Sequence, residues 1–327
     1  MNRALAIIKR CIREQNLNLQ GKTILTEVGT NAYIYTPIIP LLAGASKVIA
    51  WANDGNYGKA TEIEKSFSQI LTNIKFDGEV VVRLNERNIK DIQESDLITN
   101  SGNIRPINSD FLQNCKSGSV IPLMYEAWEI RESDIDIEYC RKKNIPVAGT
   151  WENHPSIKVF EYVGLLAAKL IFEAGLEIKE NKVWIWSDDD FGVNIKNTLE
   201  RIGVSQAILS VDINLFFSKL SEIDLLFLSD YSETRMLLGT NGLIDLDGLK
   251  EINPNITIVH LYGKVEVNEL NCRNIFVYPN KNGLPHVMTE TLGYLGLEPL
   301  IRLQVAGFKV GEQLLKNNLT NLAQFIN

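Results

Sequence analysis

The residues best placed for chemistry stand in one turn of the stretch KVWIWSDDDFGVNIKNTLERIG (182–203), between a buried apolar run and an amphipathic run. This pattern predicts a strand, a tight turn and a helix, the unit that carries G-x-G-x-x-G in dinucleotide-binding folds. The first two glycines let the backbone bend and approach a pyrophosphate, and the third allows close helix packing. Here the three positions are Ser187, Asp189 and Gly192, so only the packing glycine is present.

Three consecutive aspartates, residues 188–190, stand where a phosphate would meet the helix N-terminus. They allow three interpretations. The carboxylates can cap the helix and favour the positive end of its dipole. They can bind a cation or a cationic substrate group, or the turn can admit a dinucleotide in an altered pose. Since three consecutive carboxylates cannot all face one ion, we predict no metal centre.

Two of the three histidines stand where a ligand could reach them. His286 follows Pro285 in a glycine-bearing loop after a strand, and it is either a catalytic or ligand-binding residue or a structural one. His154, in GTWENHP, either faces a cleft or caps the helix that begins at Pro155. His260 lies inside an apolar strand pattern, so we expect it to be buried and hydrogen-bonded.

Polar, glycine-bearing segments follow the predicted strands of the first half of the chain. They are EVGTNAY (27–33), ANDGNYG (52–58), TNSGNIRP (99–106) and YEAWE (125–129). The carboxyl ends of parallel strands line one crevice, so these segments are expected to form a binding site. The candidate substrate-binding residues are Asn31, Asn100, Ser101, Gly102, Arg105 and His154.

Charged side chains in these segments each have two interpretations. Arg105 can hold an anionic group of a substrate, or it can pair with a carboxylate such as Glu126. Glu126 and Glu129 flank Trp128, and a glutamate beside an aromatic ring can have a raised pKa and act as an acid. Both glutamates are alternatively helix starters. Glu126 is therefore the second catalytic candidate, after His286.

The composition of the 327-residue chain, with 45% hydrophobic and 22% charged residues, is typical of a globular protein with room for two domains. A net charge of −7 and a pI near 5.2 disfavour nucleic acid and membrane surfaces, so we expect a small-molecule partner. The four cysteines are far apart, the N-terminal residues lack a signal-peptide pattern, and no apolar stretch is long enough to span a membrane. These features favour a cytoplasmic protein.

Strand patterns alternate with helical patterns, which predicts an α/β fold of two doubly wound parallel-sheet domains, Rossmann- or flavodoxin-like, with a cleft between them. One domain comprises 1–150 and 295–327, and the other comprises 151–294. A long helix is predicted over 155–175 and a final helical region over 289–316. The predicted strands are 23–29, 47–54, 79–85, 96–102, 119–126, 145–150, 183–187, 207–211, 224–229, 257–263 and 274–279.

Three stretches resemble the D-isomer-specific 2-hydroxyacid dehydrogenase family, of the formate and glycerate dehydrogenase kind. They are DIDIEYCRKKNIPVAGT with the helix that follows it, LIDLDGLKEINPNITIVHLYGKVEVNEL, and GLPHVMTET. The resemblance implies that 1–150 with 295–327 is the substrate domain, that 151–294 is the nucleotide-binding domain, and that the protein is a homodimer.

Carried over residue by residue, the resemblance gives an incomplete mechanism. His286 matches the family histidine, which moves a proton to or from the substrate oxygen. The family's clamp arginine is replaced by Tyr262, with Lys264 as a substitute point charge, and the supporting glutamate has no clear counterpart. Asp212, about 20 residues beyond the fingerprint, is either the ribose-binding carboxylate or a solvated loop aspartate.

These features favour a diverged oxidoreductase linked to NAD or NADP that acts on a small polar, anionic metabolite, with Arg105 as the anion anchor. The cofactor contacts would come from Ser187, Asp189, Gly192 and Asp212. The alternative is a small-molecule-binding protein or a non-redox enzyme that kept this fold but lost dinucleotide binding. The changed turn and the missing arginine favour the alternative, whereas His286 and the downstream layout favour the oxidoreductase.

Overall fold

The computed structural model describes residues 2–326, which divide into two compact units. Unit 2 is Phe160–Leu295. Unit 1 comprises the chain before Phe160 together with the segment that begins at Gly296. The chain therefore leaves unit 1 once, forms unit 2 and returns.

Strands and helices are numbered separately along the chain. The strands are β1 (Thr23–Glu27), β2 (Lys47–Ala52), β3 (Glu79–Leu84), β4 (Leu97–Ile98), β5 (Ile121–Pro122), β6 (Val147–Thr150), β7 (Lys182–Trp186), β8 (Gln206–Leu209), β9 (Leu225–Ser229), β10 (Met236–Leu238), β11 (Thr257–Tyr262), β12 (Lys264–Val265), β13 (Phe276–Tyr278) and β14 (Ala323–Phe325). The α-helices are α1 (Asn2–Glu14), α2 (Ile38–Leu42), α3 (Ala60–Leu71), α4 (Ile89–Glu94), α5 (Ser109–Leu112), α6 (Ile137–Lys143), α7 (Val159–Glu173), α8 (Asp190–Ile202), α9 (Ile213–Lys219), α10 (Leu246–Ile252), α11 (Val267–Cys272) and α12 (Leu297–Leu315). Within the described range, none of these helices has both the length and the apolar character needed to cross a membrane.

Unit 1 is built on parallel strands in the order β3-β2-β1-β4, continued through β5 and β6. A parallel bridge between Leu97 and Val120 joins β4 to the β5 region, and β14 adds an antiparallel edge to β6. From β1 the chain winds outward through β2 and β3, and then in the opposite direction through β4, β5 and β6. The switch point therefore lies between the carboxyl ends of β1 and β4, where such sheets bind ligands.

Alternate residues of the central strands in unit 1 pack into two apolar cores, one on each face of the sheet. Ile24 of β1 belongs to one core and Leu25 to the other, and β2 divides Val48 from Ile49 in the same way. Phe308 of α12 is buried in the first of these cores. Burial on both faces explains why KVIAWA is apolar throughout instead of alternating.

Unit 2 has a five-stranded parallel sheet in the order β13-β11-β9-β7-β8. Trp184 and Ile185 of β7 enter different cores, so this sheet is also covered on both faces. The direction of winding changes between β7 and β9, which places the switch point of unit 2 at their carboxyl ends. A short parallel pair, β10 with β12, forms a separate small sheet.

The α/β class and the doubly wound parallel sheets are confirmed, while several element boundaries differ from the predicted ones. The helix predicted over 155–175 begins at Val159, and the final helix, predicted from 289, begins at Leu297. The sequence patterns do not predict β10, β12 or β14. Strands of two or three residues are too short to show a period.

Candidate functional site

The turn between β7 and α8 is closed by its own aspartate. Asp189 Oδ1 accepts hydrogen bonds from the backbone N–H groups of Phe191 at 2.9 Å and Gly192 at 3.2 Å, at the start of the helix. Asp189 Oδ2 accepts the N–H of Tyr231, beyond the end of β9, at 3.0 Å. The N–H groups that would hold a phosphate therefore already donate to a carboxylate.

Ser187 and Gly192 complete this turn. Ser187 Oγ donates to Asp189 Oδ1 at 2.8 Å. A Cβ on Gly192 would lie 2.5 Å from the Cβ of Ser187, so glycine is needed for the close approach of helix and strand. The turn does not fit a pyrophosphate, because its N–H donors are occupied and the carboxylates of Asp188 and Asp189 would repel the negative charge.

Three carboxylates meet at the switch point of unit 2, with one oxygen each of Asp188, Asp189 and Asp230 within 4.8 Å of the others. Ser232 Oγ lies 3.0 Å from an oxygen of Asp188 and 3.0 Å from an oxygen of Asp230. Burial raises the pKa of Asp189 and the pKa of Asp230 above their usual range. The contacts of Asp189 match the first of the three interpretations, in which it caps α8.

His286 lies near the same switch point, in a turn closed by a bridge between Leu284 and Val287. Its imidazole is exposed, and its backbone is left-handed, with φ of 59°. A left-handed backbone costs a non-glycine residue about 1–2 kcal/mol, and such residues cluster at functional sites. The ring centroid of His286 lies 4.9 Å from that of Tyr231, which donates its N–H to Asp189. His286 and the aspartate turn thus occupy one corner of unit 2.

Tyr262, at the position of the family's clamp arginine, is buried at the end of β11. Its ring centroid lies 4.9 Å from that of Phe191 and 5.4 Å from that of Tyr231. A phenol cannot hold a carboxylate with two parallel charge-assisted hydrogen bonds, as arginine does. Aromatic packing therefore takes the place of a guanidinium at this position.

Asp212 and His260 have partners within unit 2. Asp212 is the N-cap of α9, and its Oδ1 accepts the backbone N–H of Asn214 at 2.9 Å. His260 is fully buried in β11, as predicted, and its Nε2 donates to the carbonyl oxygen of Pro279 at 2.9 Å. Its Nδ1 has no hydrogen-bond partner among residues 2–326. Burial lowers the pKa of His260 to about 4, so the imidazole is neutral at pH 7.

Buried polar groups meet at the switch point of unit 1. The hydroxyls of Thr26, Thr99 and Ser101 form a buried chain with oxygen–oxygen distances of 2.9 and 2.8 Å. Glu27, the last residue of β1, is only 8% exposed, and its Oε2 accepts the N–H of Asn103 at 3.1 Å. Burial raises the pKa of Glu27 above its usual range. The edge between β1 and β4 is therefore unusually polar for a sheet interior.

Asn100 and Gly102 lie on this edge of unit 1. Asn100 Oδ1 accepts the N–H of Met124 at 2.7 Å, which connects the ends of β4 and β5. Its Nδ2 is buried and has no hydrogen bond of ordinary geometry within the described chain. A Cβ on Gly102 would lie 3.4 Å from Glu27 Oε2 and 3.8 Å from Arg105 Nη2, so the glycine leaves room between two charged groups.

Arg105 is paired inside unit 1. Its Nη1 lies 2.7 Å from Asp134 Oδ2, and the hydroxyl of Tyr125 lies 3.3 Å from the same oxygen. The carboxylate pairing considered from the sequence is present, with Asp134 as the partner instead of Glu126. A cavity of about 680 Å³ adjoins Asp134 and is lined by residues 106–108 and 130–138. The Arg105 side chain remains 30% exposed and can still meet an anionic group.

A cluster of glutamates follows β5 and β6. Glu126 and Glu129 form a capping box on a short 3₁₀ helix, which matches the helix-starter interpretation. Glu126 also accepts the indole N–H of Trp128 at 2.5 Å and the backbone N–H of Glu152 at 2.9 Å. Burial raises the pKa of Glu129 to about 7 and the pKa of Glu152 well above its usual range. These carboxyl groups can therefore carry protons near pH 7.

The other two predicted substrate residues lie at turns of unit 1. The ring nitrogens of His154 lie 2.7 Å from Ser156 Oγ and 3.1 Å from Asn321 Oδ1, an arrangement that matches structural packing. Asn31 begins the 3₁₀ helix Asn31–Tyr35, is exposed and has a left-handed φ of 53°. Neither contact pattern identifies a ligand.

Three residues of this edge have no role assigned from the sequence. Glu27 and Tyr33 belong to a predicted loop, and Glu152 stands beside His154, but nothing in the pattern distinguishes them from solvated groups. Burial raises the pKa of Tyr33, and its phenol interacts electrostatically with both Glu27 and Glu152. The available signal is a glutamate that ends the buried apolar strand TILTE.

Comparison with solved structures places this arrangement among known folds. A dipicolinate synthase polypeptide from Bacillus subtilis is similar over 92% of this chain and 99% of its own, with a TM-score of 0.58 and 12% identity. The dipicolinate synthase polypeptide from Bacillus halodurans gives 88%, 96%, 0.54 and 12% for the same quantities. The pyruvate reductase of Chlamydomonas reinhardtii gives 93%, 99%, 0.55 and 11%. The likeness extends over both units and confirms the fold that the resemblance implies.

No protein-family model matches the sequence, and no curated protein matches it.

Proposed function

We propose that this protein is a diverged oxidoreductase that acts on a small polar metabolite, and that unit 1 binds the metabolite at its switch point. The observation that carries the proposal is the set of buried polar groups between β1 and β4. A buried polar group that lacks a full set of hydrogen bonds costs about 1–3 kcal/mol, and Asn100 Nδ2 is such a group. A ligand that hydrogen-bonds to these groups would recover that free energy.

The fold supports the redox class. The Chlamydomonas protein described as a pyruvate reductase has the same fold over almost its whole length. In an enzyme of that kind, the exposed imidazole of His286 would donate or accept the proton at the substrate oxygen. Its position at the switch point of unit 2 agrees with such a role.

Asp189 favours a second candidate, a small-molecule-binding protein or non-redox enzyme that kept the fold without binding NAD or NADP. The aspartate holds the N–H groups of Phe191, Gly192 and Tyr231. Under this candidate the turn of unit 2 is structural, and unit 1 binds the same metabolite.

Thermal shift measurements with a panel of small acids, alcohols and amines would test the unit 1 site. Two buried serines, each placed after a strand, provide a matched pair of variants: Ser101→Ala in unit 1 and Ser187→Ala in unit 2. We expect the stabilising compound to lose its effect in Ser101→Ala, because the hydroxyl chain from Thr26 is cut, and to keep it in Ser187→Ala. Loss of the effect in Ser187→Ala alone would place the ligand in unit 2 and contradict the proposal.

A further inference from the structure

We propose that the metabolite bound by unit 1 is an organic amine, and that Glu152, with Glu129 beside it, holds the ammonium group. This inference rests on the proposed function, in which unit 1 binds the metabolite, and adds the chemical class of that metabolite. It does not depend on whether the reaction is a redox reaction.

Glu152 carries the argument because its carboxyl group does nothing for the fold. The residue is only 9% exposed, and its carboxyl oxygens have no hydrogen-bond partner within residues 2–326. Its backbone makes the structural contacts: the N–H donates to Glu126 at 2.9 Å, and the carbonyl accepts from Val159 at 3.0 Å. A buried carboxyl without donors is costly, so an external donor is the missing partner.

The charges around Glu152 indicate that this donor is positive. Glu126 and Glu129 both lie close enough to disfavour its ionisation, and the phenol of Tyr33 faces it from the 3₁₀ helix after β1. Arg131 acts on Glu129, but its Nε also lies 3.8 Å from a carboxylate oxygen of Asp134. The local balance is negative, and an anionic ligand group would meet repulsion here.

The spacing of the glutamates favours an organic cation over a metal ion. Among the described residues, the one group of acidic ligand atoms compact enough for an ion is Asp188 with Asp189 and Asp230. The oxygens of Glu126, Glu129 and Glu152 do not converge in that way. An ammonium group, with three directed donors on a carbon skeleton, can reach separated carboxyl oxygens.

Aromatic rings border the same glutamates. Trp128 is 50% exposed and donates its indole N–H to Glu126, and Tyr33 is 43% exposed. Aromatic faces attract organic cations, with a contribution of about 0.5–2 kcal/mol. Carboxylates and aromatic rings together are the side chains expected around an amine.

Proton release gives the inference a specific signature. Glu129 has a pKa of about 7 and Glu152 a higher one, so both hold protons near neutral pH when no cation is present. A bound ammonium group favours the charged carboxylates and expels those protons. Affinity for an amine should therefore rise as the pH increases from 6 to 8.

The experiment uses three probes of similar shape, benzylamine, benzyl alcohol and benzoate, titrated into the full chain by calorimetry or by saturation-transfer NMR. We expect benzylamine to bind best and to bind more tightly at pH 8 than at pH 6. Glu152→Gln should weaken benzylamine about 10- to 100-fold, as expected for a hydrogen bond to a charged group worth about 1.5–3 kcal/mol. Glu62→Gln, an exposed glutamate on α3, is the matched control and should change nothing.

Benzylamine binding that equals benzyl alcohol binding, or that is unchanged in Glu152→Gln, would overturn the inference. If benzoate binds and depends on Ser101 while benzylamine does not bind, the amine inference fails and the proposed unit 1 site stands. If no compound depends on Ser101, the proposed site itself fails. Should Glu152→Gln melt far below the parent, Glu129→Gln provides the same comparison.

Discussion

The three histidines show how far a residue's role follows from its place in the sequence. The apolar strand around His260 predicts its burial, and the structure confirms it. The sequence does not predict that one ring nitrogen stays unpaired, because that depends on the packing of Gly283, whose Cβ position lies 3.2 Å from His260 Nδ1. For His286 the loop is predictable, but the left-handed backbone and the neighbouring Tyr231 ring are not.

His286→Ala tests the proton-transfer role. If the imidazole moves a proton in the transition state, the variant should lose about 10²- to 10⁴-fold in turnover on the substrate that unit 1 binds. Its melting temperature should stay within a few degrees of the parent, since the side chain is exposed. His154→Ala is the control and should keep its turnover. Full activity of His286→Ala would rule out the role.

The pH dependence of stability tests the neutral state of His260. The folded imidazole has a pKa of about 4 and the unfolded one about 6.5, so the unfolded chain binds more protons between these values. Stability is therefore lost as the pH falls through this window, by on the order of 3 kcal/mol in total. Urea denaturation of the parent and of His260→Gln should differ in slope against pH. Equal slopes would show that His260 titrates normally.

At the scale of elements, continuous apolar runs suffice to predict the central strands. KVIAWA and DLLFLS indicate β2 and β9 because strands buried on both faces need apolar residues throughout. The strand order and the positions of the two switch points follow from tertiary packing, which a local pattern does not contain. The buried carboxyl groups of Glu27 and Glu152 depend on that packing, so the sequence alone does not indicate their burial.

Gly164→Ala tests the close packing of α7 on α8. A Cβ at Gly164 would lie 2.0 Å from Thr198 Oγ1 and 2.8 Å from the carbonyl oxygen of Asn194. The two helices must then move apart, which should lower the free energy of unfolding by about 1–3 kcal/mol. Gly55→Ala is the control, because no atom beyond its chain neighbours lies within 4 Å of its Cβ position. Equal stability of the two variants would contradict this packing.

At the scale of the whole molecule, two doubly wound units carry different chemistry at their switch points. In unit 1, buried acceptors and an unpaired amide nitrogen surround the ends of β1 and β4. In unit 2, the carboxylate of Asp189 takes the hydrogen bonds of the helix N-terminus. The homodimer implied by the resemblance stays a prediction. The central claim is that a dehydrogenase fold has here a phosphate turn filled by its own side chain.

Titration of NADH, followed by its fluorescence, tests that claim most directly. The parent should bind weakly, and Asp189→Gly should bind more tightly, because it frees the N–H groups of Phe191 and Gly192 and removes a repulsion of about 1–4 kcal/mol. Glycine at an N-cap costs only a few tenths of a kcal/mol, so the helix should remain. Asp190→Asn removes the same charge without opening the turn and should gain much less. Tight binding by the parent that disappears in Asp189→Gly would contradict the account.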